Sequence, residues 1–156
     1  MGLTGEVAIV TGASRGIGKG IARELGVAGA TVVVTGRSTR GREHPLGGSV
    51  EQTADLVTQL GGIGVPRIVD HADDAQLQAL IEEVRDEFGR IDILVNNVFD
   101  VPEPRNPDEV IFGPFWQTPI WAWDQMMKVG LRSHFVATWF AAPAMVEAGS
   151  GFIVNI

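Results

Sequence analysis

Short, nearly continuous apolar stretches alternate along the chain with longer stretches whose apolar residues recur every three to four positions. The short stretches are typical of parallel strands buried on both faces, and the longer ones of helices that cover a sheet. The predicted strands are residues 6–11, 31–35, 65–69, 91–95 and 151–156. The predicted helices are residues 17–27, 49–60, 77–88 and 121–147. Because a proline removes a helical hydrogen bond, we expect Pro143 to kink or interrupt the last helix.

This alternation predicts right-handed crossovers between parallel strands. The expected fold is α/β, a doubly wound parallel sheet of the Rossmann type with strand order 3-2-1-4-5 and helices on both faces. Residues 98–118 contain four prolines and are predicted to be irregular. Long irregular loops are uncommon in compact domains and are often functional. At 156 residues, the chain is expected to form a single domain, residues 1–156.

Composition excludes several classes of function. Hydrophobic residues make up 45% of the chain and charged residues 20%, which is ordinary for a globular protein. The net charge of −7 and the lack of a basic stripe argue against nucleic-acid binding. No apolar run is long enough to span a bilayer, so no membrane partner is expected. The chain has no cysteine, which rules out disulfides and fits a cytoplasmic location.

A glycine-rich turn, 11–18, lies between the first predicted strand and the first predicted helix. A strand, a glycine turn and a helix start together place backbone N–H groups and the positive end of a helix dipole against a phosphate. Gly12 permits the tight turn, Gly16 lets the backbone approach a pyrophosphate, and Gly18 lets the helix pack closely. The alternative is an ordinary strand–helix turn. The candidate dinucleotide-binding residues of this turn are Gly12, Ser14, Arg15, Gly16, Ile17 and Gly18.

The turn after the second predicted strand indicates which dinucleotide binds. In dinucleotide-binding folds an acidic residue here binds the ribose 2′-hydroxyl of NAD, whereas an arginine accepts the 2′-phosphate of NADP. The sequence has Arg37 and no acidic residue in this turn, and Arg15 is a second cation within reach of the same phosphate. The alternative is a pair of solvated arginines. The sequence favours NADP(H) over NAD(H).

Two motifs in the sequence resemble those of the short-chain dehydrogenase/reductase (SDR) family. The resemblance covers the whole chain. One is Thr11-Gly12-x-x-x-Gly16-Ile17-Gly18, and the other is Asn96-Asn97 after the fourth predicted strand. The resemblance implies hydride transfer between a nicotinamide and a carbonyl or alcohol carbon. It implies that Asp70 contacts the adenine amino group and that Asn96 has a cofactor-binding or structural hydrogen-bonding role. The family continues its asparagine pair with Ala-Gly, whereas this chain has Val98-Phe99.

Further motifs narrow the resemblance to a subgroup with an extended loop after the paired asparagines. They are residues 115–119, the pair Trp123-Asp124, and residues 129–132. The subgroup implies an NADPH-linked carbonyl reductase. Family members carry an asparagine on the long helix that holds a water for proton relay, and we assign that position to Lys128.

The catalytic residues that the resemblance implies are a serine, a tyrosine and a lysine, and this chain contains no tyrosine. They are expected beyond Ile156, so the domain is expected to be truncated and to lack the family's C-terminal strands and helices. One hypothesis is the cofactor-binding half of an NADP(H)-dependent oxidoreductase, inactive as a 156-residue chain. The other is a complete, non-catalytic dinucleotide-binding or interaction module.

Two smaller predictions concern a metal and a partner. His71, Asp73 and Asp74 lie together in sequence, but a turn and a helix cap explain them, so no metal site is expected.

The helix 121–147 is apolar on more than one face, which is more than a sheet-covering helix needs. In the resembling family this helix helps to form a dimer interface, so we expect a homo-oligomer. The alternative is that the proline-rich loop folds over it.

Overall fold

The computed structural model, which describes residues 2–156, contains one five-stranded parallel sheet in the order β3-β2-β1-β4-β5. The strands are β1 (Val7–Val10), β2 (Thr31–Gly36), β3 (Ile63–Ile68), β4 (Ile93–Asn96) and β5 (Phe152–Asn155). The helices are α1 (Gly16–Val27), α2 (Val50–Gln59), α3 (Asp74–Phe88), α4 (Ile120–Met127) and α5 (Ser133–Ala148). A 3-10 turn, Phe115–Gln117, precedes α4, and a π-helical turn, Lys128–Arg132, joins α4 to α5. The predicted fold class and strand order are confirmed.

The sheet is covered on both faces because its central strands are apolar at every position. All four residues of β1 are buried. One face packs against α3 and α5 through buried residues that include Ile9, Val33, Leu77, Leu94 and Ala137. The other packs against α1 and α2 through buried residues that include Val10, Ala22, Val32, Val34 and Val57. This double burial explains the lack of polar alternation in β1 and β2.

The last predicted helix differs from the expectation. Residues 121–147 do not form one regular α-helix, because the π turn interrupts the regular spacing between α4 and α5. Pro143 lies inside α5 and does not end it, contrary to the expected interruption. The proline leaves the carbonyl of Trp139, four residues before it, without a helical donor, and both residues lie on the exposed side of α5.

The third strand begins two residues earlier than predicted and contains Pro66. Since β3 is an edge strand, a proline there breaks no bond to a further strand.

The long loop before α4 contacts the start of that helix. It leaves apolar side chains such as Trp123 and Trp139 exposed, so it does not cover the apolar face as the alternative prediction requires. Arg105 lies over the ring of Trp121, 3.8 Å from its centroid. The indole Nε1 of Trp121 donates to Glu109 at 3.1 Å. These contacts hold the loop against the start of α4.

Candidate functional site

A cleft of about 720 Å³ lies at the carboxyl ends of the central strands. Its walls come from the glycine turn after β1, the ends of β2 and β3, and the segment after β4. The chain crosses from one side of β1 to the other here, and ligands of doubly wound sheets bind at such a switch point. The volume falls within the usual range for small-molecule sites.

The three glycines of the turn occupy different environments. Gly12 has φ +65°, and a Cβ there would lie 2.7 Å from the Cα of Val98. A Cβ on Gly18 would lie 2.4 Å from Nδ2 of Asn97, so this glycine permits a close approach of helix and loop. Gly16 has φ +58°, and a Cβ there would meet no described atom within 4 Å. The backbone at Gly16 is therefore open to a ligand.

The start of α1 offers unpaired backbone donors. Its N-cap residue, Arg15, is extended and makes no side-chain capping bond. Within residues 2–156, the backbone N–H groups of residues 14–18 have no hydrogen-bond acceptor. Such a row of donors at the positive end of a helix dipole suits an anion. The turn therefore fits a pyrophosphate.

Thr11 and Asn97 hold the turn in place. The side-chain Nδ2 of Asn97 donates to the carbonyl oxygen of Thr11 at 2.8 Å and to that of Gly12 at 3.2 Å. The hydroxyl of Thr11 accepts from the backbone N–H of Asn97 at 2.9 Å and of Val98 at 3.1 Å. The residues after β4 thus fix the glycine turn after β1. Sequence reasoning named the asparagine pair but did not assign this role to Asn97 or to Thr11.

Asn96 lies on the other side of β4. Its side chain is buried and donates to Thr138 Oγ1 at 3.1 Å and to Asn155 Oδ1 at 2.9 Å. These bonds join β4 to α5 and β5. Asn96 does not line the cleft, whereas Asn97, Val98 and Phe99 do.

Arg15 and Arg37 both line the cleft at the end of β2. Arg15 Nη1 donates to the hydroxyl of Ser38 at 3.4 Å. Partial burial, and the nearby charge of Arg37, lower the pKa of Arg15. Two guanidinium groups that repel each other in this way favour a dianion between them. Arg37 also donates to the carboxylate of Asp100 at 2.7 Å, a contact that the sequence did not predict.

Asp70 and His71 follow β3 and line the same cleft. One carboxylate oxygen of Asp70 accepts from the N–H of Ala72 at 3.0 Å. His71 is buried, and its Nε2 lies 2.8 Å from Thr35 Oγ1. Burial lowers the pKa of His71 to about 4, so the ring is neutral at neutral pH.

The residues next to His71 have a structural role. The side chain of Asp73 caps α3 by accepting from the N–H of Ala75 at 2.9 Å. Within residues 2–156, no three His, Asp or Glu side chains are grouped closely enough to hold a metal ion.

Lys128 lies outside the cleft. It lines an adjoining surface depression, which shares Asp70 with the cleft and also contains Asp74 at the start of α3. The next residue, Val129, lines the cleft instead. A Cβ on Gly130 would lie 2.6 Å from the ring of Phe99, which also lines the cleft. The helix positions that face the cleft side are therefore Val129 and Gly130.

Comparison with known proteins agrees with this architecture. The family model described as short chain dehydrogenase matches residues 6–156. The human protein Dehydrogenase/reductase SDR family member 1 is 40% identical over 159 residues, which cover 99% of this chain and 46% of that protein. Human Hydroxysteroid dehydrogenase-like protein 2 is 34% identical over 155 residues, which cover 99% of this chain and 34% of that protein. This chain thus spans less than half the length of these curated relatives.

Solved structures show the same fold. A metagenomic short-chain oxidoreductase in complex with NADP has a TM-score of 0.79 and 32% identity, over 98% of this chain and 62% of that one. A hydroxysteroid dehydrogenase from Escherichia coli has a TM-score of 0.78 and 30% identity, over 99% of this chain and 56% of that one. The chain belongs to the short-chain dehydrogenase family, as the glycine and asparagine motifs predicted.

Within residues 2–156, no helix is both long enough and apolar enough to cross a membrane.

Proposed function

We propose that this chain is the cofactor-binding part of an NADP(H)-dependent short-chain oxidoreductase, which reduces a carbonyl or oxidises an alcohol. The observation that carries the proposal is the row of unpaired N–H groups at residues 14–18, with Arg15 and Arg37 beside it. One arrangement thus offers donors for a pyrophosphate and cations for a further phosphate. The NADP in the related metagenomic oxidoreductase supports this assignment.

The residues that would hold the dinucleotide follow from their places around the cleft. The pyrophosphate would bind the N–H groups of residues 14–18, and the 2′-phosphate would bind Arg15 and Arg37. Asp70 would bind the adenine amino group. The nicotinamide half would extend past Val98 and Phe99, on the side where β4 ends. When bound, the nicotinamide supplies or accepts the hydride.

Catalysis by the family needs a proton donor and acceptor beside the substrate oxygen. The resemblance assigns that role to a tyrosine, and this chain has none. We therefore propose that these 156 residues bind the dinucleotide as one domain and do not reduce carbonyls on their own. Carbonyl reduction with NADPH by a chain of verified mass, 16.7 kDa, would contradict that part of the proposal.

A second copy of the chain is the partner that we propose for α4 and α5. Large apolar side chains are exposed at helical spacing along these two helices and the π turn between them. They include Trp123, Leu131, Phe135, Trp139 and Val146, each more than half exposed. An apolar face of this extent is typical of an interface.

Calorimetric titration with NADPH and with NADH tests the proposed function. Because charge-assisted hydrogen bonds to the 2′-phosphate are strong, we expect the affinity for NADPH to exceed that for NADH by a factor of about ten or more. Equal affinities would contradict the preference for NADP(H) but leave dinucleotide binding intact. Saturable binding of neither dinucleotide would contradict the proposed function itself.

A further inference from the structure

Asp100 lies in the loop after β4 and is held by two side chains from different parts of the fold. Its Oδ1 accepts from Arg37 Nη2 at 2.7 Å, and its Oδ2 accepts from Gln125 Nε2 at 2.9 Å. Arg37 follows β2 and Gln125 lies on α4. Both oxygens of the carboxylate are thus engaged, and Asp100 links the segment after β2 to α4.

The two partners of the ion pair differ in exposure. The side chain of Asp100 is 15% exposed, whereas that of Arg37 is 58% exposed. The loop that carries Asp100 is anchored to α4 through Gln125 and through the contacts of Arg105 and Glu109 with Trp121. Asp100 is therefore the fixed member of the pair, and Arg37 is the member that can turn toward another anion.

The neighbours of Asp100 place this contact at the cleft. Phe99 and Val101, on either side of it in sequence, both line the cleft, as Arg37 does. Hence the guanidinium of Arg37, which is proposed to bind the 2′-phosphate of NADP(H), is already paired with the carboxylate of Asp100. A carboxylate and a phosphate compete for the same donors, and their negative charges repel each other.

We propose that Asp100 is a cofactor-specificity residue, which competes with the 2′-phosphate for Arg37 and so lowers the affinity for NADPH relative to NADH. The inference rests on the proposed function, since it requires a dinucleotide in this cleft. NADH has no 2′-phosphate and leaves the Arg37–Asp100 pair undisturbed. Because the arginine is largely exposed, the ion pair is weak, and a phosphate held by Arg15 and Arg37 together displaces it at a modest cost in affinity.

The test compares Asp100→Asn with Asp108→Asn. Asparagine keeps the shape of the side chain and removes its charge. Asp108 is an exposed residue of the same loop, so its variant changes the net charge equally without altering Arg37. We expect Asp100→Asn to bind NADPH about twofold to fivefold more tightly than the unaltered protein, because exposed ion pairs have that strength. Binding of NADH by Asp100→Asn, and of both dinucleotides by Asp108→Asn, should stay unchanged.

A second pair of variants tests whether the effect acts through Arg37. In a protein that already carries Arg37→Gln, adding Asp100→Asn should leave the affinity for NADPH unchanged. An unchanged or lower NADPH affinity in Asp100→Asn alone, or an equal gain for NADH, would overturn the inference and leave the proposed function standing. If neither the unaltered protein nor Asp100→Asn binds a dinucleotide, both the inference and the proposed function fail.

Discussion

The side-chain Nδ2 of Asn97 donates to the backbone carbonyl oxygen of Thr11 at 2.8 Å, which ties the end of β4 to the end of β1. The hydroxyl of Thr11 returns the contact by accepting from the N–H of Asn97 at 2.9 Å. The glycine turn begins directly after Thr11. Its shape therefore depends on a residue that lies 86 positions later in the chain.

Replacing Asn97 with leucine should disturb the turn while keeping a side chain of similar size. The carbonyl oxygens of Thr11 and Gly12 lose their donor, which we expect to lower the free energy of unfolding by about 1–3 kcal/mol. The affinity for NADPH should fall about tenfold or more. Urea unfolding and calorimetry measure the two effects. Asn106→Leu, in an exposed part of the long loop, is the control: it removes only a bond within that loop, from the N–H of Asp108 to Asn106 Oδ1, and should leave the NADPH affinity unchanged. Unchanged NADPH affinity in Asn97→Leu would contradict the role assigned to Asn97.

Replacing Gly16 with alanine separates backbone strain from ligand binding. Gly16 has φ +58° and Gly89, which ends α3, has φ +73°, and a Cβ would meet no described atom within 4 Å at either position. Both substitutions should cost about 1 kcal/mol of stability, because alanine is strained at positive φ. Gly16→Ala should also weaken NADPH binding, and Gly89→Ala should not. Equal affinities in the two variants would argue against a pyrophosphate at Gly16.

Replacing Arg37 with glutamine tests the preference for a 2′-phosphate. The affinity for NADPH should fall about tenfold, because a charge-assisted hydrogen bond is lost, and the affinity for NADH should change little. The matched control is Arg40→Gln, since Arg40 pairs with Asp55 of α2 and does not line the cleft. Calorimetry with both dinucleotides provides the readout. Equal losses for NADPH and NADH in Arg37→Gln would refute the assignment.

The buried ring of His71 should make stability depend on pH. Its pKa is lowered by burial to about 4 in the folded protein, from an ordinary value of 6.5. The unfolded chain thus binds a proton that the folded protein does not bind between these values. The contribution of His71 to the free energy of unfolding should therefore be fully present above pH 6.5. It should fall by about 3 kcal/mol as the pH drops to about 4.

Urea unfolding of the protein and of His71→Gln at several pH values measures this contribution. Glutamine keeps a polar group near Thr35 and does not titrate. The free energy of unfolding of His71→Gln should therefore fall by about 3 kcal/mol less between pH 6.5 and 4 than that of the unaltered protein. His44→Gln, in the loop after β2, should retain the full dependence. The same dependence in His71→Gln and in the unaltered protein would show that His71 is not its source.

The proposed second copy predicts that a charge on the exposed face of α5 prevents association. Trp139 is 66% exposed, and Trp139→Glu should sediment as a monomer while the unaltered protein sediments as an oligomer. Val27→Glu, at the exposed end of α1, should leave the oligomer intact. A monomeric unaltered protein, measured by analytical ultracentrifugation, would refute the proposed interface.

Local pattern was enough to locate the strands and the glycine turn, and the general rule for doubly wound sheets then predicted the strand order. Apolar runs such as β1 and the spacing of Gly12, Gly16 and Gly18 depend on neighbours in sequence. The role of Asn97 and the pairing of Arg37 with Asp100 depend on contacts between segments that are far apart in the chain. No local motif in the sequence signals such contacts.

The π turn has no signal in the periodicity of the last helix, which predicts one regular helix over residues 121–147. The resemblance assigns the family's asparagine position to Lys128, whereas the next residue, Val129, lines the cleft. The burial of His71 beside Thr35 has no signal in the sequence either, because Thr35 lies 36 positions earlier in the chain.

The most direct test of the account is a titration of the isotope-labelled protein with NADPH, followed by 1H–15N nuclear magnetic resonance. If the dinucleotide binds in this cleft, the largest changes occur at the backbone amides of residues 12–18, with further changes at Arg37 and Asp70. Changes confined to α4 and α5, or none at all with excess NADPH, would contradict the claim that this cleft binds the dinucleotide.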